Sequence, residues 1–241
     1  MRATSIIYRR ELGSYLRSPI TWIIAAFLLL AEGIFFQAWA LRGEQLSALV
    51  LERYFFISSF AIGTAGVVFS FRLIAEERQN HSMILLTTSP VRDHEIVLGK
   101  FFAALTFLVI MLVLSIYMPI LIKVNGKISV GQIFVGYVGL FLFGAVSLAI
   151  GLFASALTRY QFLALVIAAV ILIVMGNIFQ LAPRLDPPVR EVVEQADLWW
   201  VRFQGSFMKG IFNLKDVIFY FCTTYFFLLL AVKTLEAKRW Q

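Results

Sequence analysis

The sequence predicts an all-α, polytopic membrane protein with six transmembrane helices. Three observations carry that fold class. The 241 residues are 61% hydrophobic and only 15% charged, with a mean hydropathy of +0.86, against roughly 25% charged residues in an average soluble domain. Apolar runs recur over lengths that, at about 1.5 Å per residue, cross a hydrocarbon core of about 30 Å, where a lone segment satisfies its own backbone only as a helix. The two-residue alternation of a membrane-barrel strand is absent.

Residues 1-18 place Ile6, Ile7, Leu12, Tyr15 and Leu16 among arginines, the pattern of an amphipathic elbow helix lying in the headgroup layer before the chain turns at Pro19. This segment is too charged for a signal peptide, and no small-residue cleavage site follows the first apolar run, so that run is expected to stay as an anchor. Residues 19-241 form one six-helix transmembrane domain with spans at about 19-41, 54-73, 98-122, 130-157, 161-182 and 216-235. In the fourth span Gly144, Ser147, Gly151 and Ser155 share a face, which lets another helix approach closely. Residues 183-215 are the one extended stretch on the external side. Pro187 and Pro188 break the chain there, and Trp199 and Trp200 suit an interfacial depth, so a re-entrant helical hairpin is expected before the last helix, with a plain interfacial anchor as the alternative reading. Cys222, the single cysteine, lies in the last span and reads as a core residue; one cysteine builds neither a disulfide nor a thiolate metal site within the chain.

The net charge of +7 reads as positive-inside anchoring rather than nucleic-acid binding. Six spans put both termini on one side. That side carries Arg2, Arg9, Arg10, Arg17, Arg72, Arg78, Arg92, Lys100, Arg159, Lys233, Lys238 and Arg239. The other carries Arg42, Arg53, Lys123, Lys127, Arg184, Arg190, Arg202, Lys209 and Lys215, most of the later ones matched by neighbouring acids. Both termini are therefore expected in the cytoplasm.

The loop 74-97, opening IAEERQNHSMILLTTSPVRDHE, is more than a polar turn. Ile84, Leu85 and Leu86 give it an apolar stretch, Ser89-Pro90 stops a helix, and Asp93 restarts one ahead of Ile96. Apolar residues beside charge on such a knob call for a partner. The string resembles the first cytoplasmic loop of type-two ABC exporter permeases. The likeness rests on Glu76 and Glu77, Leu85 and Leu86, Thr88, Ser89 and Pro90, and the Ile96-to-Lys100 opening of the third helix. It extends through the elbow YRRELGSYLRSP and the six spans. The end, with FQGSFMKGIFNLKDVI and LEAKRW, is similar to the gliding-motility-associated branch of that family.

The resemblance implies a permease subunit working beside a second copy or a paralogue. Loop 76-92, with Arg92 at its return, would present a coupling helix to a dimeric cytoplasmic ABC ATPase that binds ATP and Mg. It places the chain in a bacterial cytoplasmic membrane, with export or mechanical handling of an envelope, lipidic or hydrophobic substrate. In the gliding-motility branch it also implies an accessory membrane protein with a large periplasmic domain. The chain itself has no G-x-x-x-x-G-K-[ST], so no phosphate cradle and no cofactor are expected in it.

Several residues stay open. Arg159 and Tyr160, in the turn after the fourth span, are a candidate second ATPase contact or an anchor at the membrane surface. Glu32, a carboxylate well inside the first span, is a candidate pathway or dimer-interface residue, with hydration, Lys123 or Lys127 to satisfy it. Asn177 and Gln180 are candidates for the pathway or for dimer contacts. His81 and His94 match no ligand spacing, so no metal site is expected. A secondary transporter or channel would call for inverted repeats or several buried charges, and a lipid-modifying enzyme for converging His or carboxylate groups.

Overall fold

The computed structural model describes residues 2-41, 46-79, 92-184, 186, 190, 193 and 195-239. Helices α1 (Arg2–Arg17) and α2 (Pro19–Phe35) are joined at Ser18, with Pro19 at the first position of α2, where its missing N–H costs nothing. A π-helical turn, Phe36–Ala40, prolongs α2. Helix α3 (Ser47–Ser70) continues after a break at Phe71 into α4 (Arg72–Gln79). The chain returns in α5 (Asp93–Ser115), bends at Ile116 into α6 (Tyr117–Asn125), and recrosses in α7 (Val130–Leu157) and α8 (Gln161–Asn177). The last helix is α9 (Leu214–Arg239).

Six of these stretches are long and apolar enough to cross a membrane: Pro19–Ala40, Ser47–Gln79, Asp93–Asn125, Val130–Leu157, Gln161–Gln180 and Leu214–Lys238. No strand is present among the described residues. The expected all-α, six-span class is therefore the fold found. The second and third spans run longer than expected at both ends, from Ser47 of α3 to Gln79 of α4 and from Asp93 of α5 to Asn125 of α6, because their polar ends carry no apolar periodicity.

The bundle is built around α7. Its most apolar window is 67% buried and that of α3 61%, whereas that of α8 is only 17% buried. The expected small-residue face does this work. A Cβ added at Gly66 would stand 2.6 Å from Ser147 Cβ, and one at Gly151 would run into the Ser70 hydroxyl, so α3 and α7 meet almost backbone to backbone. Ser147 and Ser70 return their hydroxyls to their own helices, at Phe143 O (2.9 Å) and Gly66 O, leaving no unpaired donor in the seam.

Cys222 is exposed on the outer surface of α9, not in the core. The last span is apolar all round because it faces lipid on one side, so hydropathy alone does not tell lipid from core. Between the fifth and sixth spans, the described residues near the end of 183-215 form short turns: a π turn, Trp200–Gln204, and a 3-10 turn, Phe207–Lys209. Gly210 closes the second with φ of 77°, a left-handed conformation that glycine adopts without strain. Phe203 and Phe207 are buried and sit against Gly139, and Phe207 also meets Tyr220 of α9, which wedges this segment between α7 and α9.

Candidate functional site

The root of the first loop is held from two sides. On one side stands the elbow α1. Ile7 of α1 lies so close to Gly99 that a Cβ there would be 2.9 Å from Ile7 Cγ2. Tyr8 shares a hydrogen bond of 3.1 Å with Thr106. Tyr15 donates its hydroxyl to Phe69 O and stacks on Phe107 at 5.6 Å, while Arg72 lies over its ring and donates to Thr21 Oγ1 at 3.1 Å.

Below these contacts a four-residue ion network joins three elements. Lys100 of α5 meets Glu11 of α1 at 3.0 Å and Glu77 of α4 at 2.9 Å. Arg10 of α1 reaches the same two carboxylates at 2.7 and 2.9 Å. The Lys100 side chain is only 1% exposed. An ammonium is buried at acceptable cost only when it is paired, and here two carboxylates balance two cations. Burial, the largest single influence on Glu11, opposes its charge, but Lys100 and then Arg10 outweigh it and hold the carboxyl below the ordinary carboxylate range.

On the other side stands α7. Ser155 Oγ accepts the amide N–H groups of Ile74 at 3.0 Å and Ala75 at 2.9 Å, which are among the first four of α4 and have no partner within that helix. Arg78 Nη1 donates to Ala156 O at 2.7 Å. Helix α4 is thus tied to α1, α5 and α7 at once.

Of the residues expected at the coupling loop, Glu76 is exposed on α4, Glu77 belongs to the ion network, and Arg92 is exposed at the start of α5, its N–H donated to Glu95 Oε2 at 3.3 Å. Leu85, Leu86, Thr88, Ser89 and Pro90 lie outside the described residues, as does His81. Arg159 and Tyr160 are exposed in the turn between α7 and α8, where Thr158 Oγ1 accepts the Tyr160 N–H at 3.1 Å.

Glu32 is 97% buried, at 3% relative exposure, and accepts from the Ser58 hydroxyl rather than pairing with Lys123 or Lys127. A hydroxyl chain runs on from there: Tyr54 meets Tyr137 at 2.7 Å, and Tyr137 meets Ser115 at 3.0 Å. Glu32 also lines an apolar groove of about 720 Å³ between α2 and α3, with Phe35, Trp39, Phe56 and Phe60. A second cavity of about 760 Å³ lies between α3 and α8, sharing Phe56 and Phe60 and roofed by Trp199 and Trp200. Trp199 Nε1 donates to Ser59 at 2.9 Å and Trp200 Nε1 to Asn177 Oδ1 at 3.1 Å. Asn177 Oδ1 also accepts from Gln180 Nε2 at 3.2 Å, so that pair anchors the segment before the last span within this one chain.

Sequence reasoning passed over Glu11 and read Lys100 as an anchoring charge and as the close of the Ile96-to-Lys100 motif, not as an ion-pair partner. A signal was present: Lys100 stands just inside an apolar span, and a cation there must find a carboxylate. The acids on the same side were Glu11, in an elbow otherwise full of arginines, and Glu76, Glu77, Asp93 and Glu95 of the loop, and only the packing of α1 and α4 selects Glu11 and Glu77 among them.

The six-span bundle defines an all-α polytopic membrane protein. A family model described as ABC-2 family transporter protein matches residues 5-188, and the chain belongs to that family, the membrane-embedded component of ABC transporters that works with an ABC ATPase subunit. No curated protein matches the chain.

Proposed function

We propose that the chain is the permease subunit of an ABC exporter, with its termini in the cytoplasm and loop 74-97 as the surface on which a separate nucleotide-binding subunit docks. The observation that carries this reading is the bracing of α4. A loop tied at its root to α1, α5 and α7 moves those helices with it, so closure of an ATPase dimer reaches the spans instead of being absorbed locally. Glu76 and Arg92, exposed on either side of the loop, are the contacts; Glu77 serves the bracing. Two such subunits act together, and the apolar grooves beside Phe56 and Phe60 fit a hydrophobic or lipidic envelope substrate. The similarity of the C-terminal end to the gliding-motility-associated branch supports a task in handling envelope material in that system. The test is co-purification with a co-expressed ABC ATPase subunit, combined with charge reversal at Glu76 and Arg92. Loss of assembly and of stimulated ATP turnover is expected. Unchanged assembly and turnover in the double reversal refutes the docking surface.

A further inference from the structure

The end of the bundle that carries both termini holds a second charged cluster, distinct from the Lys100 network and not used by the docking proposal. Helix α7 ends at Leu157, and its last carbonyls have no acceptor role within the helix. Arg78 of α4 donates to Ala156 O at 2.7 Å, and Lys238 of α9 donates to the same oxygen at 3.1 Å and to Leu157 O at 2.7 Å. Arg159 follows two residues after Leu157, its side chain exposed. Capping explains why the first two gather here, but not the size of the charge. A helix C-terminus supplies about half a negative unit, while the three side chains bring three positive ones, leaving an excess of about two and a half.

The carboxylates of the neighbouring elements do not neutralise it. Glu77 sits in the Lys100 network and Glu236 pairs with Lys233 at 2.6 Å. Glu76 is exposed on α4 and, among the described residues, makes no ion pair with these three side chains. Among the described residues no ion pair is made by Arg78, Arg159 or Lys238. The cluster also has a definite depth. The apolar span Gln161–Gln180 begins two residues after Arg159, and Tyr160 and Phe162 are 69% and 76% exposed. Cations at the ends of spanning helices beside outward-facing aromatic rings stand at the level of lipid phosphates, with hydrocarbon immediately adjacent.

We propose that Arg78, Arg159 and Lys238 form a binding site for the phosphate headgroup of an anionic phospholipid, held at the turn between α7 and α8 with its chains against the exposed start of α8. This site does not depend on the docking proposal, because the full chain presents it without the ATPase.

The experiment is native mass spectrometry of the full-length chain in a neutral detergent, titrated with phosphatidylglycerol, with phosphatidylcholine, and with glycerol 3-phosphate as the soluble headgroup. Phosphatidylglycerol adducts are expected at concentrations where phosphatidylcholine gives none, undiminished by glycerol 3-phosphate. Arg159→Gln, at a side chain that makes no described bond, is expected to weaken that binding roughly fivefold, and the triple variant with Arg78→Gln and Lys238→Gln to abolish the preference. Because the latter two residues cap α7, the single variant decides. Equal retention of the two lipids, or undiminished binding by Arg159→Gln, overturns the proposal. Full competition by glycerol 3-phosphate also overturns it, in favour of a soluble phosphate. Arg159→Gln that keeps lipid but loses the ATPase in co-purification overturns it as well, and assigns the turn to the protein partner.

Discussion

Replacing Lys100 by methionine keeps most of the side-chain volume and removes only the charge, which isolates the electrostatic role of the buried network. In the intact protein Lys100 stands 3.0 Å from Glu11 and 2.9 Å from Glu77, itself 1% exposed, while the two carboxylates are 14% and 15% exposed. Removing one partner of a buried ion pair costs about 3–5 kcal/mol because the other charge is left uncompensated. Arg10 still reaches both carboxylates, at 2.7 and 2.9 Å, and each keeps some access to water. The low end, about 3 kcal/mol, therefore applies. The loss falls on the attachment of α1 to α4 and α5, so the opening equilibrium of the elbow should rise by roughly two orders of magnitude. Amide hydrogen exchange of residues 3-16 in the detergent-solubilised chain reads this directly, with α7 as the internal reference because the network does not touch it. Adding Glu77→Gln to Lys100→Met leaves one Arg10–Glu11 pair and should recover part of the protection. Unchanged elbow exchange in Lys100→Met, or equal acceleration in α1 and α7, refutes the bracing role of the network.

Further outcomes follow from the same geometry. Glu11 has its pKa lowered by folding, so its contribution is complete above the ordinary value of 4.5 and is lost as pH falls through the lower folded value; the protection of elbow amides relative to their unstructured exchange rate at each pH should stay constant from pH 7 downward until below about 4.5. Asp197, buried in the segment before the last span, accepts the N–H groups of Trp199 at 2.8 Å and Val201 at 3.1 Å, yet burial, ahead of those bonds, pushes its pKa up. Its neutral form is thus favoured by the fold, a stabilisation present at acid pH and lost as pH rises through the raised value. Asp197→Asn should leave thermal stability unchanged or higher at neutral pH, whereas Asp197→Ala removes the cap and should cost about 1 kcal/mol, both read in the melting of the purified chain. Gly66→Val forces a side chain against Ser147, 2.6 Å from the new Cβ, and should destabilise the α3–α7 seam by about 1–3 kcal/mol, seen as a lower melting temperature. Glu32→Gln keeps an acceptor for the Ser58 hydroxyl and should leave melting intact, so that any change in transport-coupled ATP turnover reports on the groove rather than on folding.

The six spans were legible because hydrocarbon leaves a lone segment little choice but to be a helix, and the glycine-serine face of the fourth span because close approach admits nothing larger. The root of the 74-97 loop was legible as a segment, through its broken helix and its Glu-Glu and Ser-Pro signals, and resemblance named its family. What the linear sequence withheld is which charges meet. Glu11, Glu77 and Lys100 are separated by tens of residues, and only packing α1 against Gly99 brings them together. The same holds for Trp199 on Ser59 and for Arg78 and Lys238 on one carbonyl of α7. Hydropathy also carried no distinction between a helix face turned to lipid and one turned to protein, which is why Cys222 read as core. Length and polarity are local properties that the bilayer enforces residue by residue, whereas ion pairs, caps and grooves exist only once distant helices share a surface.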